Sequence, residues 1–253
     1  MCFAFDARPP ELPPGIARIA GGAGAVLLEL ESADGTRFSA SLAESPEPSG
    51  KAVVILPDVR GLYPFYVELA ERFASAGHHA IAIDYFGRTA GLGPRGEDFD
   101  YWPEVQKTRP ATVQLDTAAA LAALRGRTGA EAVSSVGFCF GGTQSLLAAT
   151  NPELGLDGVI GFYGSLSPER WGDMSPIHRA VDMRGPVLGL YGGADEGIPP
   201  DQVEALDRNL TAAGVEHEIV TYPGAPHSFF DRRYDEHAEA CADAWRRMLD
   251  FLG

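Results

Sequence analysis

The chain has 253 residues, of which 45% are hydrophobic and 22% charged, and this composition is typical of a soluble globular protein. Its formal net charge of -15 creates a surface that repels phosphate backbones, so we expect no nucleic-acid partner. No run of about 18 apolar residues is present to span a membrane. The N-terminus lacks the pattern of a secretory signal, and three widely spaced cysteines fit a reducing compartment better than a disulfide framework. We therefore expect a cytoplasmic protein.

The predicted elements begin after 24 residues rich in proline and glycine, for which we predict an irregular path over the surface. Residues 25–31 and 36–42 have strand character and flank the turn signal Ala33-Asp34-Gly35, which predicts a hairpin. From residue 52 onward, apolar β-rich runs alternate with segments of helical periodicity. The predicted strands are residues 52–56, 79–83, 132–138, 158–163, 186–191 and 217–222, and the predicted helices are residues 66–76, 111–124, 142–149, 201–213 and 235–252.

This alternation predicts right-handed crossovers and an α/β fold with a mostly parallel central sheet and helices on both faces. No repeat, low-complexity tract or linker divides the chain, so we expect a single domain over residues 1–253. Two long connections, residues 85–109 and 164–185, each follow a predicted strand. Because loops beyond the carboxyl ends of strands build the sites of such sheets, both connections are candidate site walls.

The segment Gly137-Phe138-Cys139-Phe140-Gly141-Gly142 lies between a predicted strand and a predicted helix. It has the Gly-x-nucleophile-x-Gly pattern, with cysteine where serine is usual. The sharp turn of this pattern projects its central side chain above the sheet, and the glycines leave room for the turn. The helix N-terminus then favours a thiolate at the cysteine. Cys139 is therefore the candidate nucleophile, although a buried cysteine in a glycine-rich turn would give the same pentapeptide.

Two residues further along the chain complete a possible triad with Cys139. Asp195 follows the predicted strand 186–191, and His227 follows the strand 217–222. Nucleophile, acid and histidine in this order are typical of the α/β-hydrolase fold, which we therefore predict. Since each residue follows its own strand, all three can meet at one edge of the sheet.

The predicted chemistry is acyl transfer through a thioester. His227 takes the thiol proton, and Asp195 fixes its tautomer and stabilises the imidazolium. The N–H groups of Phe140 and Val59 are the candidate oxyanion donors, and the loss of one such donor typically costs about 3–4 kcal/mol of barrier. A thiolate leaves a tetrahedral intermediate more readily than an ordinary alkoxide does. The cysteine thus favours activated esters and enol-lactones, whose leaving groups have low pKa values.

The segments Gly137–Gly142, Gly192–Pro199 and Pro226–Phe230 together resemble the dienelactone hydrolase family, and the similarity extends from about Ala52 onward. The resemblance implies a soluble enzyme without a cofactor that opens cyclic enol-lactones from the breakdown of aromatic compounds. It gives the nucleophile, base and acid roles to Cys139, His227 and Asp195. It also gives a substrate-carboxylate role to Arg88, whose planar guanidinium suits that ligand.

The chain departs from the family pattern at two places. Where the family has a glutamate that holds and activates the cysteine, this chain has the shorter Asp58. Where the family has a second substrate arginine, this chain has Asp231, followed by Arg232 and Arg233. We therefore predict a thiol-holding role for Asp58 and keep open a substrate range wider than dienelactones.

The aromatic residues Tyr63, Tyr85, Trp102 and Phe230 are candidate apolar walls of the substrate site, although ordinary packing explains such rings equally well. The remaining histidines show no metal-ligand spacing, so we expect neither a metal nor a cofactor.

Two alternatives remain: a broader carboxylesterase or thioesterase, and a non-catalytic α/β-hydrolase scaffold used for binding. Comparing enol-lactones with alkyl and aryl esters tests the first alternative, and thiol titration alongside ester turnover tests the second.

Overall fold

The computed structural model describes residues 6–16, 24–233 and 235–253. In this part of the chain, eight strands form one sheet in the order β1-β2-β4-β3-β5-β6-β7-β8. Strands β3 to β8 run parallel to one another, whereas β2 pairs antiparallel with both β1 and β4. The strands are β1 (Val26–Glu31), β2 (Arg37–Ala43), β3 (Lys51–Leu56), β4 (His79–Ile83), β5 (Ala132–Phe138), β6 (Gly158–Phe162), β7 (Val187–Gly192) and β8 (His217–Tyr222). The predicted hairpin and mostly parallel sheet are confirmed.

The strand order reverses at β3. The chain moves from β3 outward to β4 and then crosses back to β5 on the other side of β3. In the β3–β5 pair, Leu56 lies opposite Gly137, so the loops after these two strands leave the sheet side by side. A reversal of this kind opens a crevice at the carboxyl ends of the strands, where α/β proteins bind their ligands.

Helices connect the strands, and several begin at a proline. The fixed φ of proline suits the first helical position, where a backbone N–H would have no intrahelical partner in any case. The long helix α4 ends at Gly129, which takes the left-handed conformation that favours glycine. The helices are α1 (Pro64–Ser75), α2 (Gly87–Ala90), α3 (Tyr101–Lys107), α4 (Pro110–Thr128), α5 (Phe140–Ala148), α6 (Pro168–Trp171), α7 (Pro176–Arg179), α8 (Pro200–Ala213) and α9 (Ala238–Leu252). Helices α2, α3, α6 and α7 lie in the two long connections and were not predicted, because a helix of four to seven residues is too short to show a period.

Side chains of the central strands alternate between two hydrophobic clusters, as the twofold period of a strand requires. In β3, Val53 and Ile55 pack in one cluster, which includes Trp245 of α9. Val54 packs in the other cluster, which includes Leu124 of α4. The sheet is therefore covered on both faces, and its carboxyl edge is left for the loops.

Residues 6–16 have no helix or strand and lie against helix α9, where Nε1 of Trp245 donates to the carbonyl oxygen of Pro10 over 3.1 Å. This agrees with the irregular path predicted for the N-terminal segment, within the residues described. Cys2, the first of the three cysteines in the sequence, lies outside the described residues. None of the described helices is both long enough and apolar enough to cross a membrane.

Candidate active site

Cys139 occupies a strained turn between β5 and α5. Its backbone has φ 53° and ψ -113°, a conformation with positive φ that residues other than glycine rarely adopt. Hydrogen bonds hold the turn on both sides. The N–H of Cys139 donates to the carbonyl of Phe162 over 3.0 Å, and its carbonyl accepts from Thr143 over 3.2 Å. The surrounding backbone thus fixes the direction in which the Cys139 side chain projects from the sheet.

Glycine is required at both ends of this elbow. A Cβ on Gly137 would lie 1.9 Å from the carbonyl oxygen of Gly141. A Cβ on Gly141 would lie 2.0 Å from the carbonyl oxygen of Leu56, the last residue of β3. The elbow therefore packs backbone to backbone, both within itself and against the loop after β3.

Asp195 and His227 form a hydrogen-bonded pair at the same edge of the sheet. Oδ2 of Asp195 lies 2.6 Å from Nδ1 of His227, and its other oxygen accepts from the N–H of Gly197 over 2.9 Å. The Asp195 side chain is almost fully buried, whereas the His227 side chain keeps 20% of its surface exposed. This geometry holds a proton on Nδ1 and leaves Nε2 as the atom that can exchange one with a reactant.

Backbone hydrogen bonds join the loops that carry these two residues. Gly193 donates to the carbonyl of Tyr222 over 2.8 Å, and Ala194 donates to that of Ala225 over 2.9 Å. A Cβ on Gly192 would lie 2.4 Å from the oxygen of Ala225, so glycine permits this close approach. The loops after β7 and β8 thus form one unit, which fixes the spacing between acid and histidine.

Tyr163 lies beside both the histidine and the cysteine. Its ring centroid is 5.0 Å from that of His227. Burial, followed by the charges of Cys139 and Asp58, raises the pKa of Tyr163 well above its ordinary value. Tyr163 was not among the predicted site residues. A signal was nevertheless present, because Tyr163 directly follows β6, the strand between those that carry the nucleophile and the acid.

Asp58 is fully buried at the end of β3 and is bound to Arg60. Its Oδ2 lies 2.6 Å from Nη2 of Arg60, and its Oδ1 accepts from the backbone N–H of Arg60 over 2.8 Å. The guanidinium also lies 3.9 Å above the ring of Tyr63. Arg60 was not among the predicted site residues, although its place two positions after Asp58 could have suggested it. The structure brings Asp58 close to Tyr163, where Cys139 also lies, and compensates its charge with Arg60.

Arg88 is bound to residues outside this cluster. Its Nε is 2.9 Å from the buried Asp116 of α4, and other donors of the guanidinium bind Asp34 and Thr36 at the tip of the hairpin. It follows β4, which β3 separates from the nucleophile strand β5. This placement supports a structural role more directly than the predicted contact with a substrate carboxylate.

The predicted aromatic walls are found in three different environments. Trp102 is 52% exposed and lines a cavity of about 460 Å³ together with Phe140 and Trp171. Tyr63 lines a separate cavity of about 1180 Å³ between the hairpin, α1 and residues 92–96. Phe230 is buried, with its ring 5.8 Å from Phe138 and 5.5 Å from Trp245. Of these three, Trp102 shares a cavity with Phe140, the residue after the nucleophile, and its contact with a substrate stays a prediction.

The remaining predicted residues follow three neighbouring strands: Val59 follows β3, Tyr85 follows β4, and Phe140 comes directly after the nucleophile that follows β5. Phe140 is the first residue of α5, so its N–H points out of the helix end. Val59 is buried in the loop after β3, and Tyr85 is buried after β4. Among the residues that the structure describes, no group of three or more histidine, cysteine, aspartate or glutamate side chains is placed to hold a metal ion.

Comparisons with known proteins identify the family of this chain. A model of the dienelactone hydrolase family matches residues 38–253. A Yersinia pestis protein named "Putative carboxymethylenebutenolidase" is 32% identical over 227 residues, which cover 86% of this chain and 84% of that protein. A protein of the same name from Methylorubrum extorquens is 31% identical over 260 residues, covering 99% of this chain and 88% of that one.

Solved structures show the same relationship. The crystal structure of a "Putative Dienelactone Hydrolase" from Klebsiella pneumoniae superposes with a TM-score of 0.78 at 32% identity, covering 91% of this chain and 99% of that chain. A dienelactone hydrolase-like promiscuous phosphotriesterase from metagenomic libraries gives a TM-score of 0.72 at 25% identity, covering 91% and 98%. The chain therefore has the α/β-hydrolase fold and belongs to the dienelactone hydrolase family of carboxylic ester hydrolases.

Proposed function

We propose that this protein hydrolyses activated carboxylic esters or enol-lactones, with Cys139 as the nucleophile and a thioester as the covalent intermediate. The observation that carries the proposal is the combination of the strained elbow at Cys139 with the Asp195–His227 pair at the same edge of the sheet. A cysteine kept only for packing would need neither the strain nor an oriented histidine nearby.

The proposed reaction has two halves. His227 accepts the thiol proton while the sulfur of Cys139 attacks the carbonyl carbon, and the carbonyl electron pair moves to the oxygen. The intermediate collapses, the bond to the leaving oxygen breaks, and that oxygen takes the proton from His227. Water then gives a proton to His227 and attacks the thioester carbon. The thiolate leaves and regains its proton, and a carboxylic acid is released.

The relatives named "Putative carboxymethylenebutenolidase" support an enol-lactone as the substrate. An enol-lactone has a good leaving group, because opening the ring releases an enolate. The guanidinium of Arg88 is bound to Asp116, Asp34 and Thr36, and that of Arg60 is bound to Asp58, so a substrate carboxylate would have to compete with these partners at either arginine. We further propose that residues 1–253 form a single catalytic domain that works without a cofactor. A reducing cytoplasm would keep the thiol available.

Replacement of the nucleophile tests this function. Cys139→Ala is expected to lower ester hydrolysis by at least about 10³-fold, as removal of a triad nucleophile does in other enzymes. Cys241→Ala is the matched control, because this thiol lies on α9 and its Sγ is 3.3 Å from the carbonyl of Phe229. Burial raises the pKa of Cys241 to about 12, so this thiol is almost entirely protonated at pH 8.

Mapping of alkylated cysteines by mass spectrometry completes that experiment. Brief treatment with iodoacetamide at pH 8 is expected to modify Cys139 and to abolish activity in parallel, whereas Cys241 stays unmodified. Retention of most activity in Cys139→Ala would overturn the assignment of the nucleophile and turn the search towards a serine.

A substrate panel separates the proposed function from broader activities. We expect the highest kcat/KM with an enol-lactone, lower values with aryl esters and the lowest with alkyl esters, in the order of leaving-group pKa. A thioester and an aryl phosphotriester belong in the panel, the latter because a structural relative is described as a promiscuous phosphotriesterase. Equal rates on alkyl and enol esters would instead indicate a general carboxylesterase.

A further inference from the structure

The hydroxyl of Tyr85 is turned towards backbone rather than towards a ligand site. The residue is fully buried after β4, and its oxygen lies within hydrogen-bond distance of two successive carbonyl oxygens, those of Pro57 and Asp58. These carbonyls belong to the loop after β3, which carries Val59. Tyr85 therefore contacts the loop that is expected to supply one oxyanion donor.

The first peptide of this loop is held along both edges. The hydroxyl of Tyr85 donates towards the carbonyl of Pro57, and the N–H of Asp58 donates to the hydroxyl of Tyr66 over 2.9 Å. Because a peptide unit is planar, two bonds on opposite edges fix its orientation about the chain. The loop thus enters the site with a defined direction.

The second peptide joins Asp58 to Val59. Its carbonyl oxygen lies 2.5 Å from the Tyr85 hydroxyl and accepts from the N–H of Gly61 over 3.1 Å. In a trans peptide the N–H points opposite to the C=O. Holding the Asp58 carbonyl on the side of Tyr85 therefore directs the N–H of Val59 to the other side of the chain.

The ring of Tyr85 contacts the other predicted donor residue. Its centroid lies 5.3 Å from that of Phe140, at an interplanar angle of 54°. Phe86 also packs against the Tyr85 ring in an edge arrangement, with centroids 4.8 Å apart. One side chain thus bridges the loop after β3 and the first residue of α5.

We propose that Tyr85 is a positioning residue of the oxyanion hole, which sets the N–H of Val59 relative to the N–H of Phe140. The inference rests on the proposed acyl transfer. Negative charge appears on the carbonyl oxygen only in the tetrahedral intermediate, so fixed donors lower the barrier more than they strengthen substrate binding. The role differs from the substrate wall predicted for Tyr85, because the buried side chain reaches the reaction through backbone.

The variant Tyr85→Phe keeps the ring and removes the hydroxyl. We expect kcat for an aryl ester to fall about 10- to 100-fold while KM changes less than about threefold, since one donor is displaced rather than removed. Inhibition by an aryl trifluoromethyl ketone should weaken by a similar factor, because the thiolate adds to its carbonyl and leaves the charge on oxygen. Alkylation of Cys139 by iodoacetamide forms no oxyanion and should keep its wild-type rate.

Tyr222→Phe is the matched control, since it removes a different tyrosine hydroxyl, one that donates to Asp243 over 3.0 Å. It should leave kcat and ketone inhibition unchanged. The proposal is overturned if Tyr85→Phe retains wild-type kcat and ketone affinity, or if alkylation slows as much as turnover, which would indicate a disturbed nucleophile. Rates are expressed per folded molecule, with the folded fraction measured by near-UV circular dichroism, so that misfolded protein does not count. Failure of the proposed function would appear separately, as activity that survives Cys139→Ala.

Discussion

Asp58 and Arg60 form an ion pair in the loop after β3, the strand next to the nucleophile strand β5, and we expect the balance between their charges to affect the ionisation of the Cys139 thiol. Asp58 is fully buried, and Arg60 nearly so. Asp58 and Cys139 both act on the pKa of Tyr163, so both lie near this ring. A negative charge near a thiol disfavours the thiolate, and a positive charge favours it. Arg60 therefore partly neutralises the charge of Asp58, the carboxylate for which we predict a thiol-holding role.

Removing the charge of Asp58 and removing the charge of Arg60 are expected to change the reactivity of Cys139 in opposite directions. Asp58→Asn should speed alkylation of Cys139 at pH 6–7, because the lost negative charge lowers the pKa of the thiol. Arg60→Gln should slow it, because the Asp58 charge is then uncompensated. The rate of alkylation by iodoacetamide, measured against pH, checks both.

Controls with the same changes in net charge are Glu29→Gln and Arg37→Gln, which alter an exposed ion pair on the hairpin. Their alkylation profiles should match that of the wild type. If the profiles of Asp58→Asn and Arg60→Gln also coincide with the wild type, Asp58 has no hold on the sulfur. The nucleophile would then depend on His227 and the terminus of α5.

The connection of β5 to α5 shows how packing of whole elements creates the reactive turn. Helix α5 begins directly at the elbow, and its second residue, Gly141, touches the end of β3. A helix normally gains stability when glycine is replaced by alanine, by about 0.5–1 kcal/mol. At Gly141 this gain is opposed by a collision with backbone, which cannot move aside as a flexible side chain can.

The two helical glycines Gly141 and Gly126 should therefore respond with opposite signs. Gly126→Ala on the exposed surface of α4, where a Cβ would meet nothing within 4 Å, should raise the free energy of unfolding by about 0.5–1 kcal/mol. Gly141→Ala should lower it by at least about 3 kcal/mol and abolish activity, since overpacking here displaces β3 or the elbow. Urea denaturation and ester turnover measure both effects. A stable and active Gly141→Ala enzyme would show that the elbow tolerates a different path.

Arg88 links three parts of the fold that are distant in sequence: α2, the hairpin and α4. This side chain connects α2 to the tip of the hairpin through Asp34 and to α4 through Asp116, whose other partner is Ser32. Burial raises the pKa of Asp116, and the hydrogen bonds from Arg88 oppose that rise. Removing Arg88 would leave a buried carboxylate without its main cationic partner, which is costly.

Arg88→Ala is expected to lower the free energy of unfolding by about 3 kcal/mol at pH 7. Without the arginine, the pKa of Asp116 in the folded state rises further above its value in the unfolded chain. A group with a raised folded pKa stabilises at low pH, and this contribution is lost as pH rises through the folded pKa. The destabilisation should therefore be smaller at pH 5 than at pH 7, as urea denaturation at both values will show.

Arg37→Ala, which breaks the exposed pair with Glu29, is the matched control and should change stability by less than about 1 kcal/mol. Turnover of Arg88→Ala, per folded molecule, should fall equally for neutral and carboxylate-bearing esters. A rise in KM confined to carboxylate-bearing esters would instead support the predicted role of Arg88 in substrate binding.

The order of elements followed from the sequence because the central strands are short apolar runs and the long helices carry a helical period of apolar residues. The same local information placed Cys139, Asp195 and His227 after β5, β7 and β8, and the carboxyl ends of parallel strands share one edge. Glycine spacing around Cys139 gave the elbow, since such a turn admits no Cβ at Gly137 or Gly141. These features depend on residues close together in the chain.

The partners of the loop side chains were decided only by the tertiary structure. Arg88 and Tyr85 follow the same strand, yet one binds Asp34 and Asp116 and the other binds the carbonyls of Pro57 and Asp58. A sequence shows at which edge of the sheet a residue lies, but the direction of its side chain depends on which distant segments pack beside it. For Arg88 those segments lie 28 and 54 positions away, and for Tyr85 27 and 28 positions, distances at which no periodicity connects them. Burial of Phe230 was decided in the same way, by the arrival of Trp245 on α9.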